Sequence, residues 1–234
     1  MTTPFAVKRG IDFVGWKTWW NYRLPRRRTL STLATKLDSF ERREVSPALG
    51  GLAQRVDLRR LDENGRGRKF YSMLASYAGH LRHGAALNAW EMLWAKYRWL
   101  GALLERREWS FAARWSRRGL VQAQSFHAQY WRLASRAGKD SLVFFRVVRF
   151  VEFYGPQRLL ASRILGLRAA RIVRGRFALT AGFPTSLCEI YLLRAIRQGV
   201  VVVVVREEAA RHSRAIAPRL PSILLIPLGT EPIF

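Results

Sequence analysis

Six consecutive valines, Val200 to Val205, lie between Gly199 and Arg206. Successive strand residues point to opposite faces, so a run that is apolar on both suits a strand inside a sheet covered on both sides. With Arg197 and Arg206 flanking it, the block is far shorter than the ~20 residues needed to span a bilayer. The surrounding segments fit a layered α/β arrangement. Leu142 to Val148 and Phe150 to Phe153 are apolar and β-prone, and Phe177 to Thr180 reads as another short strand. Pro156 to Leu165 reads as an amphipathic helix with proline in its first turn, and Pro184 to Gln198 as a helix that Gly199 ends. A mixed sheet packed by helices is expected.

The part before residue 120 has a different character. All nine tryptophans lie at or before Trp131, eight of them between Trp16 and Trp115. Ile11, Phe13 and Trp16 indicate a short strand, and a hairpin then leads past Arg23, Arg26, Arg27 and Arg28 into helices. Leu30, Leu33, Leu37 and Phe40 recur at helical spacing, and the loop Asp62 to Lys69 interrupts the pattern. Helices over about Phe70–His83 and Ala85–Leu104 are expected next. The overall reading is an α+β protein with two domains. Residues 1–122 form a mainly helical basic domain and residues 123–234 an α/β domain.

Charge points to the partner. There are 41 Lys plus Arg against 16 Asp plus Glu, a formal net charge of +25, which calls for a polyanion. Up to Leu120 there are 24 basic and 10 acidic residues, and 17 and 6 after it, so both halves are expected to touch phosphate. Arginine dominates, 35 to 6 over lysine, and its planar fork suits bidentate phosphate contact. The basic residues are not gathered beside an apolar anchor, so no membrane partner is expected. Cys188 is the single cysteine, which excludes an intramolecular disulfide, and the N-terminus lacks a signal-peptide core. A cytoplasmic location is the expectation.

The stretch from Gly10 to Leu30 resembles the segment joining palm to thumb in bacterial reverse transcriptases of the retroelement type, the diversity-generating elements included. Gly10, Phe13, Gly15 and Trp16 carry the match, and Ser76 to Gly84 resembles a thumb-helix segment of the same group. The resemblance covers residues ~8–120 and implies a thumb-like domain that grips a template–primer duplex. Arg23, Arg26, Arg27, Arg28, Arg66, Arg68 and Lys69 are its candidate nucleic-acid contacts. Such polymerases hold two metal ions with an Asp-Asp turn, and this sequence contains no Asp-Asp pair. A palm on another chain is therefore a possible partner. The alternative is a C-terminal fragment of an RNA-directed DNA polymerase.

Residues ~125–230 resemble domain I of the MutS family. The match runs in order through Gln129-Tyr130, the Phe145–Gly155 segment, Ala181-Gly182-Phe183-Pro184, Tyr191-Leu192, Gly199-Val200 and a late Gly229-Thr230. The family's mismatch reader is Phe-x-Glu, which maps onto Phe150, Val151 and Glu152. The resemblance implies an aromatic wedge beside an unpaired base, with the carboxyl group meeting a base nitrogen. Residues i and i+2 of a strand share a side, so Phe150 and Glu152 are expected to reach one base together. The other reading makes Phe150 core and Glu152 a solvated carboxylate. The sequence departs from the family's Gly-Asp before the reader with Val148 and Arg149. A β-branched residue is ill suited to a positive-φ turn, whereas Arg149 adds a groove or phosphate contact.

Other constellations carry less. His80 and His83 have metal-compatible spacing without a third ligand, and His127 and His212 stand alone. The Ala181–Pro184 segment is expected to shape a turn before a helix, and Cys188 to be core. No phosphate-binding Gly-x-x-x-x-Gly-Lys-Ser/Thr occurs, so no ATPase and no cofactor are expected. The resulting expectation is a non-catalytic protein that recognises mismatched or distorted duplex DNA or RNA–DNA hybrid, associated with a reverse-transcribing retroelement.

Overall fold

The computed structural model describes residues 10–13, 15–115, 125–139, 141–170, 179–208 and 217–228. They fall into two compact units. One combines residues 1–43 with 66–113, the other residues 44–65 with 114–234. The expected divide near 122 lies outside the described residues.

The first unit opens with an antiparallel three-stranded sheet, β1 (Ile11–Phe13), β2 (Trp16–Thr18) and β3 (Arg23–Pro25). Helix α1 (Arg27–Glu44) follows and buries Leu33, Leu37 and Phe40 on one stripe. Its partner α3 (Arg66–Leu81) buries Phe70, Leu74, Ala78 and Leu81. The Phe40 and Phe70 rings stack at 3.9 Å, and Trp99 packs on both at 5.1 and 5.7 Å. The helix expected over Ala85–Leu104 is broken into α4 (Leu87–Lys96) and α5 (Trp99–Leu103). Tyr97 leaves the helical region at φ −102 and ψ 70, and its buried ring sends its hydroxyl to Asp38 Oδ1 at 2.6 Å. The strands β6 (Leu104–Arg107) and β7 (Ser110–Ala113) close the unit as a hairpin.

The second unit is built on a seven-stranded mixed sheet. Its strands are β4 (Val45–Ala48), β5 (Ala53–Asp57), β8 (Ser141–Val147), β9 (Phe150–Phe153), β10 (Ala181–Pro184), β11 (Val201–Glu207) and β12 (Arg219–Pro227). Their order across the sheet is β10-β9-β8-β11-β12-β5-β4, with β8 and β11 parallel and the other pairs antiparallel. The valine block forms the central strand β11, where Val202 is buried on one side and Val203 and Val205 on the other. Helices α7 (Gly155–Leu165) and α8 (Cys188–Arg197) contribute Ala161, Leu165, Ala195 and Ile196 to a core with Phe144, Val151, Phe153 and Phe183. On Phe145 sit Phe126 and Tyr130 of α6 (Phe126–Ala137), edge to face at 5.3 and 5.2 Å. The short helix α2 (Leu58–Glu63) is capped by the Asp57 carboxylate, which accepts from the Arg60 amide.

Three expectations change here. Ala181–Pro184 is an edge strand pairing with β9, and a 3-10 turn at Thr185–Leu187 separates it from α8, which starts at Cys188 and not at Pro184. The expected loop over Asp62–Lys69 is confined to Asn64 and Gly65, because α2 and α3 close on it from both sides. The segment 45–57, which lies within the part read as helical, supplies two strands to the large sheet through β5–β12 pairing. Of the expected strand Phe177–Thr180, Phe177 lies outside the described residues, and Thr180 makes a single bridge to Ala170. Gly229, Thr230 and His212 lie outside them as well.

Candidate nucleic-acid interface

The hairpin between β8 and β9 carries the residues singled out as the reader. Its register pairs Val147 with Phe150, leaving Val148 and Arg149 as a two-residue loop. Such tight hairpins favour positive φ in the loop, the reason glycine is common there. Val148 adopts φ 54 despite its branched Cβ, so the turn geometry glycine would take is kept with a bulkier residue. The Val148 side chain is 68% exposed and rests on no core. Two bonds fix the tip. Arg146 Nε donates to the Val148 carbonyl at 3.2 Å, and the Thr185 amide donates to the Arg149 carbonyl at 2.8 Å.

Phe150 is 47% exposed at this tip, whereas the next three residues of β9 are buried. Glu152 is 4% exposed, and the Tyr154 hydroxyl donates a hydrogen bond to its carboxylate. Tyr154 is held in turn by Tyr130, whose hydroxyl donates to the Tyr154 carbonyl at 2.8 Å and accepts from its amide at 2.9 Å. Burial pushes the Tyr130 phenol far above its ordinary range, so it remains a neutral donor at every physiological pH. Phe150 and Glu152 share a strand face, but only Phe150 reaches solvent. The alternative pairing of a core phenylalanine with a solvated glutamate is the reverse of the arrangement observed.

Charge gathers at the same end of the sheet. Arg146 and Arg149 are exposed, and continuing the β8–β11 register by one position sets the exposed Arg206 beside Arg146. Beneath them lies Arg219, which is buried. Its Nε donates to the Arg146 carbonyl at 3.1 Å and its guanidinium bonds Glu207 at 3.0 Å. The guanidinium also lies over the Phe126 and Phe145 rings at 5.2 and 5.6 Å. Arg219 thus clamps β12, β11 and the base of the hairpin together, a role with no signal in the sequence beyond one charge in an apolar run. Tyr130 and Tyr154 were equally unmarked as a bracing pair. Arg146 was missed as well, although it is the lone polar residue inside Leu142–Val148.

The basic residues of the helical unit are divided. Arg23 lies on β3, and Arg26 has its Nε 3.2 Å from the Asp12 carboxylate. Arg27 and Arg28 are exposed in the first turn of α1, and Arg66, Arg68 and Lys69 in the first turn of α3. Neither first turn carries an acid, so each places cations at the positive end of a helix dipole, an arrangement that favours a bound anion. Contacts of Phe40 with Phe70 and of Lys36 with Tyr77, at 3.9 and 5.1 Å, run the two helices antiparallel. At ~1.5 Å rise per residue the two basic groups stand roughly 20 Å or more apart, at opposite ends of the pair.

The remaining candidates have packing roles. The His80 ring packs against Trp16 at 4.6 Å with the planes tilted by 30°, and the His127 ring accepts from the Trp131 indole at 2.9 Å. Among the described residues no group of His, Cys, Asp and Glu could hold a metal ion, and no helix is long and apolar enough to cross a membrane. Cys188 is half-buried, and desolvation raises its thiol above the ordinary value.

No curated protein matches the chain. The family model of MutS domain I matches residues 124–220, which take in α6, the β8–β9 hairpin, α7, β10, α8 and β11. Over that span the chain is similar to MutS domain I, and Phe150 at the exposed hairpin tip lies inside the match.

Proposed function

We propose that this protein binds duplex nucleic acid and recognises mismatched or distorted sites by wedging Phe150 beside a base. The observation that carries the reading is a half-exposed phenylalanine at the tip of a braced hairpin, flanked by Arg146 and Arg149, within the span similar to MutS domain I. Arginines beside the tip draw phosphate, a contact that positions the protein without reading sequence. An aromatic ring inserted at a base step pays a few kcal/mol of unstacking in matched duplex and less at a mispair or flexible step, and that difference is the discrimination. With Glu152 buried against Tyr154, selectivity rests on deformability and the ring, while the carboxylate braces β9.

The helical unit serves in this reading as a second, thumb-like grip, with Arg27 and Arg28 at one end of the helix pair and Arg66, Arg68 and Lys69 at the other. Error-rich products of a retroelement reverse transcriptase, as DNA or RNA–DNA hybrid, are the natural ligands, with the catalytic palm on another chain. The experiment is a salt series of binding to matched duplex, single-mismatch duplex and RNA–DNA hybrid. Steep loss of affinity with salt for all three, with the mismatch held more tightly at each salt, is expected. Equal affinity for matched and mismatched duplex overturns the reader, and a flat salt response overturns nucleic-acid binding.

A further inference from the structure

The four-residue connection between β2 and β3 presents aromatic rings to solvent. Trp20, at its apex, is 85% exposed, and Tyr22 is 43% exposed. Trp19 stacks on Tyr22 at 4.6 Å with the planes 13° apart, and its amide donates to the Tyr22 carbonyl at 2.9 Å, which fixes the loop. The Trp19 ring lies against Gly10, where φ is +66 and a Cβ would come within 2.7 Å of the indole, so glycine is what lets the ring seat on the backbone. Lys17 Nζ stands 5.5 Å from the Trp19 ring, and Arg23 is exposed at the far side of the loop. From Gly10 to Leu30 the basic residues are Lys17, Arg23, Arg26, Arg27 and Arg28, and the only acid, Asp12, faces Arg26.

A core-forming role accounts for Trp16, which is buried, but not for Trp20. Flat rings in water, one of them pre-stacked on a second and surrounded by cations, match what unpaired nucleotides need: a π-face for the base and positive charge for the backbone. An acidic protein surface would use the charge but not the parallel Trp19–Tyr22 stack. Duplex interiors offer no free base face to it. We infer that the β2–β3 loop is a stacking platform for single-stranded nucleic acid, with Trp20 and Tyr22 each taking a base and Lys17 and Arg23 the adjoining phosphates. The inference stands apart from the Phe150 reading, since it concerns the other unit and another ligand form.

The test uses the full chain and fluorescein-labelled dT12, U12 and a matched 12-base-pair duplex at one salt concentration. Trp20→Ala should weaken binding to the single strands by roughly 5- to 150-fold, the usual worth of one base–aromatic stack, and duplex binding by less than twofold. Trp20→Phe should restore most of the loss, because it keeps a π-face. A separate salt titration of dT12 binding should give the same slope for Trp20→Ala as for wild type, because the change removes no phosphate contact. A loss confined to dT12 or to U12 identifies the strand the platform takes and supports the inference. Equal loss on duplex and single strands, no loss on either strand, or failure of Trp20→Phe to rescue overturns it. A mismatch-blind wild type would sink the hairpin reading and leave this one standing.

Discussion

Tyr154 donates its hydroxyl hydrogen bond to the carboxylate of Glu152, two residues back along β9, inside the layer between sheet and α6. That bond fixes which of the two reader residues is presented. Glu152 is turned inward, and Phe150, next on the same face, projects past the end of the packed region. Removing the hydroxyl with Tyr154→Phe should cost about 1.5–3 kcal/mol of stability, the range for bonds to a charged group. Urea unfolding checks it. Glu152→Gln keeps an acceptor oxygen and should cost less, while changing the ratio of mismatched to matched affinity by under about twofold. A large shift of that ratio with unchanged stability would mean the carboxylate meets the base after all.

Val148 holds φ 54 at the hairpin tip. Left-handed backbone costs an L-residue roughly 1–2 kcal/mol, and glycine's extra unfolded-state entropy roughly 0.5–1 kcal/mol. Val148→Gly should therefore stabilise the fold by about 0.5–1 kcal/mol, since the exposed side chain gives up little burial. A lower urea midpoint would show that the valine contributes contacts the turn needs.

Arg219 answers to several partners at once, so Arg219→Ala should destabilise by about 3 kcal/mol, the lower end for breaking a buried pair because Glu207 is partly exposed. Arg219→Lys should rescue little, since an ammonium reproduces neither the fork nor the stacking over Phe126 and Phe145. Equilibrium unfolding of the two variants decides it. Recovery by lysine to within about 1 kcal/mol would make the site a simple charge requirement.

In the helical unit, the Tyr97 hydroxyl bond, joined by Lys96, holds the Asp38 carboxyl below its ordinary range. A depressed carboxylate contributes stability above its unfolded value, near pH 3.8, and that stability is lost as pH falls through the lower folded value. Asp38→Asn should flatten this part of the acid limb in unfolding midpoints measured from pH 5 downward. An acid limb identical to wild type would remove Asp38 from the account.

Much of the second unit is legible in the residues. Two-faced apolarity at Val200–Val205 identified a central strand, the Pro156–Leu165 pattern a helix, and Gly199 its neighbour's end, at φ 73. These are local signals, and local physics decides them. Strands β4 and β5 were not legible because Val45–Ala48 and Ala53–Asp57 alternate weakly: β5 becomes a strand by pairing with β12, more than 160 residues along the chain, and β4 by pairing with β5. The site divides the same way. Phe150 and Arg149 follow from the Phe-x-Glu pattern and the adjacent charge. The burial of Glu152 depends on Tyr154 and Tyr130 meeting across sheet and helix, and the clamp by Arg219 on three strands converging, neither of which any spacing encodes.

Whether Phe150 discriminates between duplexes is measured by the affinity of Phe150→Ala for a single-mismatch duplex and its matched counterpart at one salt concentration. The expected result is a loss of about 1–3 kcal/mol on the mismatch, the worth of a base–aromatic contact, with matched binding within twofold of wild type and an unchanged urea midpoint, since the ring is half-exposed. Equal loss on both duplexes, or no loss on either, would contradict it.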